Sequence, residues 1–210
     1  MPNHIATILR IEGTQAQIEA VKNFIKGEDR AIDFNKIIPI PETFRKYDTT
    51  NHPAGRGLEV GQPLGWEKDS PIVTGEMLAE YKDATIQQMT EYGCVGWYDW
   101  SLRYWGTKWN AYDTEDSGDA ILFNTAWSFA YPVVLALSEI FPEVVLSYTY
   151  ADEDAGYNTG CGQVQGGKVI EETRPDGDSP EAWHLFFLTH EADEEYYEQL
   201  PDGRYRYIDE

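Results

Sequence analysis

Along residues 5–11, Ile5, Thr7, Leu9 and Ile11 alternate with Ala6, Ile8 and Arg10, and this period of two predicts a β-strand near the start of the chain. Thr14 and Gln17 follow at the spacing of a capping box, in which each side chain bonds the backbone N–H of the other residue. Apolar residues then recur at helical spacing, namely Ile18, Val21 and Ile25. A second apolar run, residues 31–38, leads into two prolines and predicts a second strand.

The pattern changes after this unit. Glycines and prolines interrupt residues 42–73 without a period, which is typical of a loop-rich segment. Thr74 can cap a helix that continues to Tyr92, and a second, tryptophan-rich helix is predicted over residues 95–105. Together these segments predict a helical insertion at about residues 42–105.

The second half of the chain returns to short strands around one apolar helix. That helix, residues 132–141, has almost no polar face, which indicates burial on more than one side. The other predicted elements are a hairpin over residues 108–112 and 119–125 with its turn at 116–118, a strand over 144–150, a glycine-rich hairpin leading to 168–173, and a helix over about 183–197.

This order of elements predicts the fold class. Strand–helix–strand, helical insertion and strand–helix–strand together indicate an α+β fold with a split β-α-β, mainly antiparallel sheet and two helices on one of its faces. A chain of 210 residues suits one domain. We therefore interpret residues 1–210 as a single domain with the insertion at about 42–105 and an acidic extension from about residue 151.

Charge restricts the possible partners. The chain has 37 acidic and 16 basic residues, a formal net charge of −21, and the 17 acidic and 4 basic residues from Glu143 onward give −13 to the last third. Nucleic acids and anionic membranes bind proteins through Lys and Arg, so we expect no direct nucleic-acid binding and no membrane binding. Solubility is one explanation for such a surface, and imitation of a phosphate backbone is another.

Neither the cysteines nor the histidines indicate a cofactor site. Cys94 and Cys161 lack metal-ligand spacing, and two reduced thiols are predicted rather than a disulfide. His184 and His190 are about 240° apart around a helix, so they would not share a ligand. The sequence contains no catalytic or nucleotide-binding motif of known spacing, no signal peptide and no run of 18 apolar residues. We therefore expect no catalytic residues, no metal, no cofactor and a cytoplasmic location.

The block Trp105-Gly-Thr-Lys-Trp-Asn-Ala-Tyr-Asp113 is the densest local feature, and a further tryptophan follows in residues 121–128. Indole rings offer flat faces to a peptide or ligand, and a lysine beside them offers a cation. The candidate binding residues from this block are Trp105, Lys108, Trp109 and Tyr112. The alternative interpretation is that the same rings fill the space between the insertion and the sheet, and the sequence leaves both open.

Four segments occur in the order found in one known family. They are Pro2-Asn3 before the first strand, residues 34–41 (Phe-Asn-Lys-Ile-Ile-Pro-Ile-Pro), the block from Trp105 to Tyr112, and residues 123–128 (Phe-Asn-Thr-Ala-Trp-Ser) before a proline-started helix. Over about residues 1–150 the chain resembles the YubB-type family of plasmid- and phage-borne proteins. The resemblance implies a ferredoxin-like α+β fold, a term for topology alone, because the chain has too few cysteines for an iron–sulfur cluster. It implies no activity, and it suggests a mobile genetic element as the source.

These observations lead to three functional hypotheses. The first is a non-enzymatic phage or plasmid accessory protein that acts by binding a host protein. The second is an acidic DNA mimic that inhibits a host defence or DNA-binding enzyme through carboxylates on the predicted C-terminal helix. The third is an enzyme or small-molecule binder of unknown chemistry. The second hypothesis also includes the carboxylates of Glu191 and Asp152–Asp154, and the candidate binding residues selected for it are Asp193, Glu194, Glu195 and Glu198.

Overall fold

The computed structural model describes residues 3–50, 52, 57–190 and 194–208. The chain divides into two compact units, one formed by residues 1–38 and 105–210 and the other by residues 39–104. None of the helices in the described ranges has the length and apolar composition that crossing a bilayer requires. The elements in chain order are β1 (His4–Glu12), α1 (Gln15–Ile25), α2 (Phe34–Ile37), α3 (Glu42–Lys46), α4 (Gly75–Tyr92), α5 (Gly96–Tyr104), β2 (Tyr112–Asp116), β3 (Ala120–Ala126), α6 (Tyr131–Ile140), β4 (Val145–Asp152), β5 (Gly160–Gln165), β6 (Lys168–Thr173), α7 (Pro180–His190), a 3₁₀ turn (Glu194–Tyr196), β7 (Tyr197–Gln199) and β8 (Tyr205–Tyr207).

The first unit is built on a six-stranded antiparallel sheet with the strand order β2-β3-β1-β4-β5-β6. β1 lies between β3 and β4 and runs antiparallel to both. Because α1 follows β1 and α6 connects β3 to β4, the first four strands have the β-α-β-β-α-β connectivity of a ferredoxin-like fold. The predicted fold class is confirmed, and the β5–β6 hairpin extends the sheet beyond β4.

The core lies on the face of the sheet that carries α1 and α6. Alternate residues of β1 are buried, because successive side chains of a strand point to opposite faces. The predicted capping box at the start of α1 is confirmed, since Thr14 and Gln17 each accept a hydrogen bond from the backbone N–H of the other. The buried apolar residues of β1, α1 and α6 are Ile5, Leu9, Ile11, Val21, Ile25, Val133, Val134 and Leu137.

The opposite face of the sheet carries α7. Ala151 of β4 packs against Trp183 of α7, and it points away from the core side of the sheet, which its neighbour Tyr150 faces. The small sheet of β7 and β8 continues this layer. The ring centroids of Tyr197 and Tyr205 lie 5.5 and 5.6 Å from that of Trp183.

Two strand predictions near the first motifs were wrong. Residues 31–38 contain α2 instead of a strand, because the Asp33 side chain accepts a hydrogen bond from the N–H of Asn35 and caps a helix there. The hairpin strand predicted over 108–112 begins only at Tyr112. Side-chain hydrogen bonds hold the residues before it in place. For example, Oδ1 of Asn110 accepts from the N–H of Phe34 and from the N–H of Ala111.

The predicted C-terminal helix was too long. α7 ends at His190, and Tyr197–Gln199 forms a strand that pairs with Tyr205–Tyr207. Gly203 closes the connecting turn with a φ of 87°, a conformation that glycine adopts without steric cost. The hairpin is held against α7 by the tyrosine rings that contact Trp183.

In the second unit, the side chain of Gln88 joins α3, α4 and α5. Its amide nitrogen donates to the carbonyl of Thr43 at 3.0 Å, and its oxygen accepts from the Thr49 hydroxyl at 2.5 Å and the Gly96 N–H at 3.0 Å. Gln88 is fully buried, so these bonds replace the water that its amide would otherwise contact. The start of α4 is capped by Thr74, as predicted.

Candidate binding site

Trp105 begins the tryptophan-rich block and belongs to the protein core. Its side chain is only 4% exposed, and its Nε1 donates to the carbonyl of Ile38 at 2.9 Å. Its ring packs edge-on against that of Phe34, with centroids 5.8 Å apart. The sequence suggested Trp105 as one of the flat binding faces, but this burial removes it from the candidate contact surface.

The next residues attach the block to the end of β3. The Thr107 hydroxyl donates to the carbonyl of Ala126 at 2.9 Å and accepts from its N–H at 3.1 Å, as a neighbouring strand would. The Ser128 hydroxyl donates to the carbonyl of Gly106 at 2.5 Å. A side chain at Gly106 would meet the Pro132 ring at 2.7 Å, so glycine permits this close approach. These contacts place the block beside the residue that follows β3.

Lys108 lies between two indole rings. Its Nζ is 4.5 Å from the ring centroid of Trp109 and 4.6 Å from that of Trp127. Both distances are within the range of cation–π attraction, which for Trp extends to about 6 Å. We call Lys108, Trp109 and Trp127 the indole site. The structure thus brings together two of the predicted binding residues and adds a third that the sequence did not indicate.

Trp127 has an uncommon backbone conformation. Its φ is 67°, in the left-handed region that is costly for a bulky residue. Its N–H donates to the carbonyl of Asn3 at 2.9 Å, and its carbonyl accepts from the side-chain amide of Asn158 at 3.3 Å. Its side chain is nevertheless 42% exposed. The fold therefore holds a large apolar ring at the surface at a cost to the backbone, which is a recognised mark of functional positions.

Hydrogen bonds link the buried carboxylate of Asp152 to the backbone of Trp127. Asp152 is 6% exposed, and its Oδ1 accepts from the Asn3 side chain and from the N–H of Asp154, both at 3.0 Å. Its Oδ2 accepts from the Asn158 side chain at 3.0 Å. The two asparagines therefore connect Asp152 to the backbone of Trp127, and both carboxylate oxygens are occupied by neutral donors.

Tyr112 lies next to the indole site, with its ring 6.4 Å from that of Trp109. Its hydroxyl is 2.8 Å from Nδ1 of His4 and donates to the carbonyl of Thr125 at 3.3 Å. Burial, with smaller effects of Asp113 and Glu153, raises the pKa of Tyr112 to about 12. The phenol is neutral at physiological pH, so Tyr112 supports the site by packing rather than as a base. The sequence predicted it as a binding residue, and that role stays a prediction.

A separate groove of about 510 Å³ lies on the α7 side of the sheet. Ile8 and Leu122 line it, and Arg10 and Glu115 add charges of both signs. Arg10 forms an ion pair with Asp119. Asp113 also lines the groove, so its wall is polar and has two carboxylates against one guanidinium, without the apolar lining that small-molecule pockets usually have.

His190 is the last residue of α7 and lines this groove. Its ring stacks on Phe186 at a centroid distance of 4.6 Å, and burial lowers its pKa. Its Nδ1 is 3.1 Å from the Thr189 hydroxyl, which donates to the carbonyl of Leu185 at 3.0 Å. The Thr189 hydroxyl is therefore within hydrogen-bond distance of both a helix carbonyl and the His190 ring, and the tautomer of the imidazole sets the direction of the second bond.

The two acidic candidates whose side chains the structure describes, Glu195 and Glu198, do not share a helix face. Asp193 and the side chain of Glu194 lie outside the described residues. Glu195 is exposed in the 3₁₀ turn, and Glu198 lies on β7. The Glu198 carboxylate accepts from Arg206 across the β7–β8 pair at 2.6 Å, so its charge is partly neutralised.

Potential metal ligands are dispersed over the part of the chain that the structure describes. No three His, Cys, Asp or Glu side chains there form a group that could hold a metal ion. His184 and His190 line different cavities. Cys94 and Cys161 are free cysteines, and burial raises the pKa of each thiol.

Comparison with known proteins gives a match to part of the chain. No curated protein matches it in sequence. The crystal structure of protein api92 from Yersinia pseudotuberculosis aligns with a TM-score of 0.44 and 9% sequence identity, over 84% of this chain and 99% of that chain. Residues 105–197, which include the indole site, β2 to β6 and α7, match the family model described as the ferredoxin-like domain in Api92-like protein.

Proposed function

We propose that this chain is a non-enzymatic binding protein and that it contacts another protein through the indole site. The observation that carries the proposal is Trp127, whose indole is exposed although its backbone has the costly left-handed conformation. Tryptophan is enriched at protein–protein contacts, where a few large rings supply most of the binding energy. Lys108 adds a positive charge to an otherwise acidic protein.

The resemblance to the YubB-type family supports a phage or plasmid accessory role. An accessory protein from such an element acts inside a host cell, so the proposed partner is a host protein in the cytoplasm. The acidic composition supports a protein partner over a nucleic acid, because phosphate backbones are bound through Lys and Arg.

The test compares two exposed tryptophans. Host lysate is passed over the immobilised wild-type protein, Trp127→Ala and the matched control Trp66→Ala, whose indole is fully exposed in the other unit. A protein retained by the wild type and by Trp66→Ala should bind Trp127→Ala about tenfold more weakly or worse, as expected for loss of a central ring. Equal retention by all three proteins, with unchanged circular dichroism, would contradict the proposal.

The acidic surface supports a second proposal, a DNA mimic that inhibits a host defence or DNA-binding enzyme. A net charge of −21 and the exposed carboxylate of Glu195 favour it. Binding of a basic nuclease would then weaken steeply with salt, because exposed charges are screened over about 8–10 Å. The double variant Glu195→Gln, Glu198→Gln should slow association. A contact through the indole site would instead resist salt and be lost in Trp127→Ala.

The third hypothesis is that this chain is an enzyme or a small-molecule binder. It is tested by a thermal-shift screen of metabolites and metal ions with the same wild-type protein. A reproducible rise in Tm with one compound, in the absence of any protein partner dependent on Trp127, would replace the binding proposal.

A further inference from the structure

Strand β6 forms one edge of the main sheet. All six of its residues, Lys168–Thr173, are exposed, and β5 is its partner on the inner side. No other strand in the described residues pairs with its outer side. Its outward N–H and C=O groups are therefore available to a further strand.

The opposite edge of the sheet is less suited to pairing. β2 is interrupted by a register shift between Tyr112 and Glu115, and Asp113 between them has a φ of 48°. β6 also has one shift, but its last three residues, 171–173, pair in regular register with residues 161–163. The C-terminal end of β6 is therefore a regular strand edge with which a further strand could pair.

A mainly apolar pocket lies beside that end of β6. It has a volume of about 390 Å³ and lies between the strand and α7. Cys161 and Thr173 are direct partners across β5 and β6, so both point to the α7 face of the sheet. The other lining residues are Pro175, Pro180, Glu181, His184 and Leu185. Alternate side chains of a strand added to β6 would point to the same face as this pocket.

Charge decides which strand fits. Glu171 is exposed at the C-terminal end of β6 and Glu181 lies at the pocket. Glu172, in contrast, is ion-paired with Arg174, and Lys168 lies at the other end of the strand. Acidic side chains on an edge oppose pairing with another acidic strand, and a second copy of this chain would bring another net −21 to the contact. The same charges attract a basic segment.

We propose that β6 binds an extended, basic segment of a partner protein as a seventh strand, with one apolar side chain of that segment in the pocket beside α7. Main-chain hydrogen bonds supply affinity in this mode of recognition, and the pocket and the carboxylates supply specificity. This surface is separate from the indole site, so a variant can lose binding at one of the two sites and keep binding at the other.

The test uses a synthetic peptide with the sequence Lys-Leu-Lys-Leu-Lys-Leu-Lys and follows amide hydrogen exchange by residue. Peptide addition should slow exchange of the outward β6 amides by about tenfold or more, and should shift the resonances of Thr173 and Leu185. The same peptide with its edge-facing amides N-methylated cannot pair as a strand, and should give neither effect.

Two matched variants separate strand addition from general charge attraction. Glu171→Lys reverses a charge on β6, and Glu19→Lys makes the same change on the exposed surface of α1. Binding of the peptide should weaken about tenfold with Glu171→Lys and little with Glu19→Lys, and Trp127→Ala should leave it unchanged. Equal weakening by both charge reversals, or peptide binding without protection of β6, would overturn the proposal.

Discussion

The side-chain amide of Asn110 donates a hydrogen bond of 2.7 Å to Oδ1 of Asp33, 77 residues earlier in the chain. The Asn110 oxygen accepts from the N–H of Phe34 at 2.9 Å. Asp33 in turn accepts from the N–H of Asn35 and caps α2. This pair joins the first turn of α2 to the segment that leads into β2 and the indole site.

We predict that Asp33→Ala destabilises the protein by about 0.5–2 kcal/mol, the usual cost of a lost helix cap. Burial on its own raises the pKa of Asp33, but hydrogen bonds from Asn110 and Asn35 outweigh it, and the pKa is lowered. A lowered pKa means that the ionised carboxylate stabilises the fold above the usual Asp pKa and that this contribution is lost as pH falls through the folded value. Denaturant unfolding at several pH values measures both effects.

Asp33→Asn is the matched control. Asparagine caps helices as well as aspartate, so the loss at neutral pH should be smaller than with alanine. Because the amide does not titrate, the free energy of unfolding should depend less on pH in the acid range than in the wild type. If the free energy of unfolding of Asp33→Asn fell with acid as steeply as that of the wild type, carboxylates other than Asp33 would be responsible for the pH dependence.

The same pair shows where sequence patterns were insufficient. Residues 31–38 are apolar enough for a strand, and local spacing alone favoured one. The helix is decided by Asp33 and by Asn110, and the second of these is distant in sequence. In contrast, the capping box of Thr14 and Gln17 is complete within four residues, and it was predicted correctly.

Two leucines of α6 allow a comparison of burial on one helix. Leu137 is fully buried, whereas Leu135 is only partly buried. We predict that Leu137→Ala costs about 2–5 kcal/mol and that Leu135→Ala costs less, because truncation leaves a smaller cavity where solvent can enter. Denaturant unfolding provides the comparison. Equal losses would show that Leu135 is as closely packed as Leu137.

The indole site was predictable in part. Lys108 and Trp109 stood out because aromatic and basic residues are adjacent in the sequence. Trp105 has the same local appearance, yet it is buried against Phe34, a contact that depends on the tertiary fold. Trp127 was missed because a left-handed residue is usually glycine or asparagine, and no local signal marks a tryptophan in that conformation.

We predict that Trp127→Gly is more stable than Trp127→Ala by up to about 1.5 kcal/mol. The left-handed conformation costs a residue with a side chain about 1–2 kcal/mol, and the extra backbone entropy of glycine offsets about 0.5–1 kcal/mol of that. The controls are Glu19→Ala and Glu19→Gly, which lie within α1. There the alanine variant should be the more stable of the two, because alanine is the better helix former. The free energies of unfolding of these four variants test the backbone conformation directly, and greater stability of Trp127→Ala would contradict it.

The two thiols should react slowly with Ellman's reagent. Burial raises the pKa of both Cys94 and Cys161, and the thiolate is the reactive form. We predict that the reaction rate at pH 7.5 falls well below that of a free cysteine and rises as pH increases beyond 9. Cys94→Ser and Cys161→Ser assign the two phases. Rapid reaction at pH 7.5 in either variant would show that its remaining thiol is accessible and ionised.

In the folded protein, the Tyr112 hydroxyl should remain protonated at pH values at which the hydroxyl of an ordinary tyrosine is ionised. Burial, followed by the charges of Asp113 and Glu153, raises its pKa to about 12. Between the unfolded pKa of about 10 and the folded value, the unfolded chain has lost a proton that the folded chain retains, so the free energy of unfolding falls as pH rises. Tyr112→Phe should make this fall less steep. A tyrosine resonance that titrates near pH 12 in the wild type and is absent from the variant would identify the group, whereas titration of Tyr112 near pH 10 would show that solvent reaches its hydroxyl.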